Sequence, residues 1–232
     1  MIRARLLIAI LLLVFLFPHP ASAVTDPSGT GRLQESLQVF TKIMLDPKTT
    51  IPPVLLQKAS AIAILPNMMK ASFLFGGRYG KGVLMVKDKN GNWSNPVLIS
   101  LSGGSFGLQM GIQSSDLVLV FRRSRALDAK SKGNFIMGAD VFIVAGRLSF
   151  QMDETTEANL QTEIYSFSRS IGLNAGFALQ GSSLRIDEVA TSNLYTKAGL
   201  SAMDILSGKV DTVPAGVLRF KEGFTKLAGK VQ

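Results

Sequence analysis

Between Val83 and Leu101 two apolar runs flank Asn90-Gly91, the dipeptide that most favours a tight reversal between strands. Further on, Phe106, Leu108, Met110 and Ile112 alternate with Gly107, Gln109, Gly111 and Gln113. A period of two gives a strand one apolar face and one small or polar face. Glycines recur through the same stretch, and inside strands they mark bends, bulges or close backbone approach. The expected fold class is α+β: a twisted antiparallel sheet or partly closed barrel, covered by N-terminal helices and a C-terminal helix.

The covers are legible as helical periodicity. Leu33, Leu37, Phe40 and Met44 follow one helical face from Arg32 onward, and Asp46-Pro47 ends it because a residue before proline disfavours helical angles. Ile51-Pro52-Pro53 opens a second helix, expected to run through Ala61. Ala59 to Leu65 then enters a buried strand that ends at Pro66. Asp116 to Phe121 is a continuous apolar run and reads as a central strand. Two short strands are expected within Phe135 to Phe150, and a polar loop at Gln151 to Gln161. From Ile164 to Ser170 the pattern alternates again, with Tyr165, Phe167 and Arg169 on one face. A strand pair follows over Gly172 to Leu184, and short irregular or helical pieces fall at Asp187–Lys197 and Ser201–Leu206. Thr212 caps a last helix whose apolar face is Val217, Phe220, Phe224, Leu227 and Val231.

The N-terminus has another logic. Arg3 and Arg5 precede an apolar run from Leu6 to Phe17, then Pro18, His19 and Pro20, then Ala21-Ser22-Ala23. This is the layout of a signal peptide, with cleavage expected after Ala23 and export of the remainder to the periplasm or beyond. A linker at 24–31 and a single domain at 32–232 complete the expected organisation. With no cysteine, lipid attachment at an N-terminal cysteine is excluded.

The same inventory bounds the chemistry. No cysteine means no thiol nucleophile and no thiolate metal site. His19 is the one histidine and lies in the leader, so the commonest general base is absent from the exported chain. The Gly76 to Gly82 stretch is no phosphate loop: Gly80-Lys81 is followed by Gly82 rather than Ser or Thr, and Phe75 stands where the first glycine belongs. No spacing brings two carboxylates together. No catalytic residue, cofactor or metal site is expected.

Several segments taken in order carry a resemblance. Ala59-Ser60-Ala61-Ile62-Ala63-Ile64-Leu65-Pro66 is followed by Gly76-Gly77-Arg78-Tyr79-Gly80-Lys81-Gly82, then Trp93, Pro96 and Gly107-Leu108-Gln109-Met110-Gly111. Gly138-Ala139-Asp140, Ala145-Gly146 and Tyr165-Ser166-Phe167-Ser168-Arg169-Ser170 come later. The set resembles the SYLF domain family over roughly Arg32 to Gln232. Phe167 stands where the family's second tyrosine falls. The resemblance implies binding of phosphoinositide or other acidic lipid, in fungal endocytic proteins binding of actin filaments, and no catalysis.

Charge points the same way. Removing Arg3 and Arg5 with the leader takes the formal charge from +9 to +7. The densest basic segment is Arg122 to Gly133, with Arg122, Arg123 and Arg125 at its start. These three, with Arg32 and Lys42 on the first helix and Lys70, Arg78 and Lys81 beside the glycine-rich turns, are the candidate contacts to an anionic phospholipid surface. The alternative is an envelope protein-interaction or structural module. No nucleic-acid module is present, and no nucleic-acid partner is expected.

Overall fold

The computed structural model describes residues 29–73, 75–106, 111–122, 134–137, 143–145, 164–171, 182–196 and 199–229. The leader, the polar loop at 151–161, and Arg123 and Arg125 lie outside the described residues. In chain order the elements are helices α1 (Thr30–Leu45) and α2 (Pro53–Gln57), then strands β1 (Ala61–Phe73), β2 (Phe75–Val86), β3 (Val97–Phe106) and β4 (Gly111–Phe121). Strands β5 (Asn134–Met137), β6 (Ile143–Ala145), β7 (Ile164–Ile171) and β8 (Ser182–Ile186) follow, and then helices α3 (Glu188–Tyr195), α4 (Ala202–Leu206) and α5 (Ala215–Gly229).

The eight strands form one sheet in the order β5-β8-β3-β2-β1-β4-β7-β6. Neighbours are antiparallel except β6 and β7, which run parallel. Among the described residues no ladder joins the edge strands β5 and β6, so the sheet is open. This is the expected α+β architecture. The β2–β3 hairpin turns at Asn90-Gly91 as expected, with Gly91 at φ 83°. Its N–H donates to Asp88 O at 3.1 Å and the Asp88 N–H donates to Asn92 O at 2.9 Å. The loop is therefore three residues with a left-handed glycine closing it.

Four boundaries differ from the sequence reading. Helix α2 stops at Gln57 rather than Ala61, because the Ser60 N–H is already bonded to Phe121 O at 2.7 Å in the sheet. Strand β1 does not end at Pro66. It crosses a bulge there: one extra residue is inserted against both neighbours, between Ile64 and Met69 toward β2 and between Leu65 and Met68 toward β4. Asn67 takes φ 49° at the bulge, and its N–H donates to Asp116 Oδ1 at 3.2 Å. Proline has no N–H to lose from the ladder, so Pro66 fits the irregularity. The alternation read from Phe106 to Gln113 as one strand belongs to two: β3 ends at Phe106, β4 begins at Gly111, and the two are not neighbours in the sheet. Helix α5 starts at Ala215 rather than at a Thr212 cap.

Register fixes the faces. Leu98, Val83, Met85, Ile62, Ile64, Val118, Val120, Tyr165 and Phe167 share one face, and all are buried. Helix α1 lies on it, with Gly29 at its start so close to Leu98 that a Cβ there would overlap the leucine. The helix buries Leu33, Ser36, Val39, Phe40 and Ile43, so its inner stripe is turned slightly from the expected one; Leu37 and Met44 flank it half-buried. Phe40 stacks on Phe224 of α5 at 4.6 Å between centroids, and Trp93 meets Phe224 edge-on at 5.3 Å. Each fully buried side chain of this size contributes ~1.5–3 kcal/mol. The opposite face is buried at the same end by Leu84, Ile99, Leu101, Leu117, Leu119 and Phe121. Among the described residues the helices cover that end of the sheet, and at the other end of the first face Lys81, Tyr79, Met69 and Ile112 are exposed.

Candidate functional site

Lys70 and Arg78 are direct cross-strand partners on the inner face, opposite the helices. Arg78 is only 6% exposed. Its Nη2 donates to Gly104 O at 2.9 Å and its Nη1 to Ser182 Oγ at 3.3 Å. Burial lowers the guanidinium's affinity for its proton. Gly103 makes the approach of Ser182 feasible, since a Cβ on Gly103 would stand 2.6 Å from Ser182 Oγ. Arg78 thus ties β2 to β3 and β8 instead of meeting a headgroup, which departs from the expected role. A cation flanked by glycines reads the same in sequence whether it points in or out. Lys70 is half-buried beside it.

Lys81 points the other way, to the open side. It pairs with Ser100, which pairs with Arg185, so the two exposed cations lie on one face two strands apart, or ~10 Å at the usual strand spacing. Across the sheet the same register level continues through the bulge to Asp116, whose direct partner is the exposed Arg169. One level further from the helices, Tyr79 pairs with Met69; at the next level Ala71 pairs with Ile112. These three large residues are markedly open to solvent: Met69 45%, Tyr79 50% and Ile112 75%.

The remaining expected cations are scattered. Arg32 is held by Asp187 at 3.2 Å. Lys42 is exposed on α1. Arg122 is half-buried just past β4, with Nε buried and making no hydrogen bond to the described residues. Arg123 and Arg125 cannot be placed, lying outside the described residues. The structure therefore brings Lys70 to Arg78 and leaves Lys81 on the reverse side. It adds Arg185 and Arg169, which sequence reasoning did not single out. The alternation from Ile164 to Ser170 had placed Arg169 on the face of Tyr165 and Phe167; the missing information was which strands stand beside it. Among the described residues no three acidic or histidine side chains converge on a point.

Comparison with known proteins fits this arrangement into a larger set. The family described as "Las17-binding protein actin regulator" (Ysc84) matches residues 102–226. The SH3 domain-containing YSC84-like protein 1 of Bos taurus is 33% identical over 201 residues, covering 85% of this chain and 57% of its own. Protein YSC84 of Saccharomyces cerevisiae is also 33% identical over 201 residues, with 85% and 42% covered. LAS seventeen-binding protein 3 of the same yeast is 32% identical over 201 residues, with 85% and 43% covered. The chain thus spans about half the length of the curated relatives it matches.

Proposed function

The chain belongs to the Ysc84 (SYLF) family, and from that premise we propose that it is a non-enzymatic binding domain whose ligand is an anionic phospholipid surface. The observation that carries this reading is the set Lys81, Arg185 and Arg169, exposed on one open face of the sheet. The leader-like N-terminus supports action outside the cytoplasm, in the periplasm or beyond, with peripheral attachment to a membrane.

Magnitude limits what charge can do. Each Lys or Arg near an anionic surface contributes ~1 kcal/mol. Three give about 3 kcal/mol, equivalent to a dissociation constant in the millimolar range. Binding by these cations alone is weak and falls with salt.

The test is co-sedimentation of the full chain with neutral and anionic vesicles at low and high salt. The expected result is a preference for anionic vesicles that salt weakens, reduced further in the double variant Lys81→Glu, Arg185→Glu. Equal pelleting with both lipids, or none with either, rejects the reading.

A second reading has its own support. The family description and the yeast relative's name both specify binding to a protein. A protein partner, in an envelope or actin-like setting, would bind independently of lipid charge, and the vesicle experiment separates the two.

A further inference from the structure

The apolar residues beside the cation row lie outside the buried core. Met69, Tyr79 and Ile112 sit on β1, β2 and β4, three adjacent strands in the middle of the sheet. The other large exposed apolar residues, Leu45, Val189, Met203 and Leu218, fall singly on four different helices. Only on the sheet do such residues gather on neighbouring strands with cations alongside, among the described residues.

Their order along the strands is the informative feature. Lys81, Arg185 and Arg169 occupy the level nearest the helices; Asp116, the one acid in that row among the described residues, is occupied by the Asn67 N–H. Tyr79 and Met69 lie two residues further out, then Ala71, Gly77 and Ile112, and the register places Phe73, Phe75 and Phe106 at the last level. Two residues of strand span ~7 Å. An apolar element at a bilayer surface sinks ~5–10 Å into the boundary between headgroups and acyl chains. The cation row and the apolar rows are therefore separated by the distance between phosphates and the first methylenes.

This deepens, and rests on, the anionic-surface reading: we infer that the helix-free end of the sheet enters an anionic phospholipid bilayer, with Tyr79, Met69 and Ile112 inserted at the headgroup boundary and Lys81, Arg185 and Arg169 held at the phosphates. Both signals are needed, as charge alone is too weak. Between its large residues the outer part of this face carries small ones. Gly77, Gly104 and Ala71 keep it low, and neither the cavity between α1 and α5 nor the one beside Trp93 opens there. Strands β1, β2 and β4 are paired on both sides, so no free backbone edge invites an added peptide strand.

Tryptophan fluorescence tests depth directly. Trp93, the chain's single tryptophan, packs against Phe224 in the helix layer and serves as a built-in control. With anionic vesicles carrying brominated acyl chains, the full-length Tyr79→Trp variant is expected to be quenched and the parent chain not. Ile112→Ser and Met69→Ser, with unchanged circular dichroism, should each weaken anionic-vesicle binding about tenfold. Unquenched Trp at 79 with binding intact overturns the insertion while leaving the anionic-surface reading standing. No binding of the parent chain to anionic vesicles overturns both. A change of oligomeric state in Ile112→Ser, with vesicle binding unaltered, assigns the face to a second copy of the chain and overturns the inference.

Discussion

Arg32 and Asp187, 155 residues apart in the chain, meet at 3.2 Å between Nη1 and Oδ2. The other oxygen of the same carboxylate accepts the Ala190 N–H at 3.1 Å and so starts α3. Asp187 also donates its own N–H to Leu98 O at 2.8 Å. One residue therefore fixes the first helix, the third helix and strand β3 to each other. Asp187→Ala removes cap and ion pair together and is expected to cost about 1–3 kcal/mol. Arg32→Gln removes only the pair and should cost under about 1 kcal/mol, with vesicle binding unchanged. Urea denaturation of both variants measures the difference.

Gly82 and Gly77 lie on the same strand but make opposite predictions. A Cβ on Gly82 would collide with the backbone of Ile64, with Leu65 Cα at 2.9 Å. That backbone cannot rotate away like a side chain, so Gly82→Ala should destabilise by about 3 kcal/mol. A Cβ on Gly77 would meet nothing within 4 Å. Gly77→Ala should be neutral or stabilising by up to ~1 kcal/mol, through lost freedom in the unfolded chain. Denaturant midpoints of the two variants decide it.

Burial pushes the Tyr195 phenol well above its ordinary value of 10.0. Its hydroxyl donates to Pro96 O at 2.7 Å. A raised folded-state value means that the contribution is complete below about pH 10 and is lost as pH climbs from there through the folded-state value. Tyr195→Phe should cost about 1–3 kcal/mol at pH 7 by leaving the Pro96 carbonyl unpaired. The stabilities of parent and variant should converge above pH 10. Guanidinium melts at pH 7 and pH 11 show whether they do.

Lys87 closes the end of α2. Its Nζ donates to Leu56 O at 2.8 Å and to Gln57 O at 3.0 Å, and it stands 4.8 Å from the Trp93 ring centroid. Lys87→Met keeps the stem but removes the donors and the charge. The expected loss is about 1–2 kcal/mol. Trp93 emission should shift in the folded state, and an unshifted spectrum would count against the contact.

What the sequence disclosed were the features set by near neighbours. The Asn90-Gly91 reversal, the end of α1 at Asp46-Pro47, the Asp116–Phe121 strand and the alternation from Ile164 all arise within a few residues and appear as read, while the buried stripe of α1 is turned from Leu37 and Met44 toward Ser36, Val39 and Ile43. What stayed hidden depends on partners far away. Pro66 looks like a stop because proline breaks ladders, yet β4 supplies Asp116 to complete the bulge. Arg78 looks like a surface cation until Ser182, 104 residues on, takes its Nη1. Arg185 and Arg169 are single charges in their own strands, and only the sheet order brings them to the face and level of Lys81.

The bulge at Pro66-Asn67 has a consequence for inheritance. Before it, the even-numbered residues Ile62 and Ile64 face the helices; after it, the odd-numbered Met69 and Ala71 take that side. Deleting Asn67 would make the strand regular and still leave Met69 and Ala71 on the open side, because the one extra residue is what shifts the count. Were Asn67 kept and the strand drawn straight, alternation would instead carry Lys70 to the open side, so the kink decides which letters of the gene become the greasy tip.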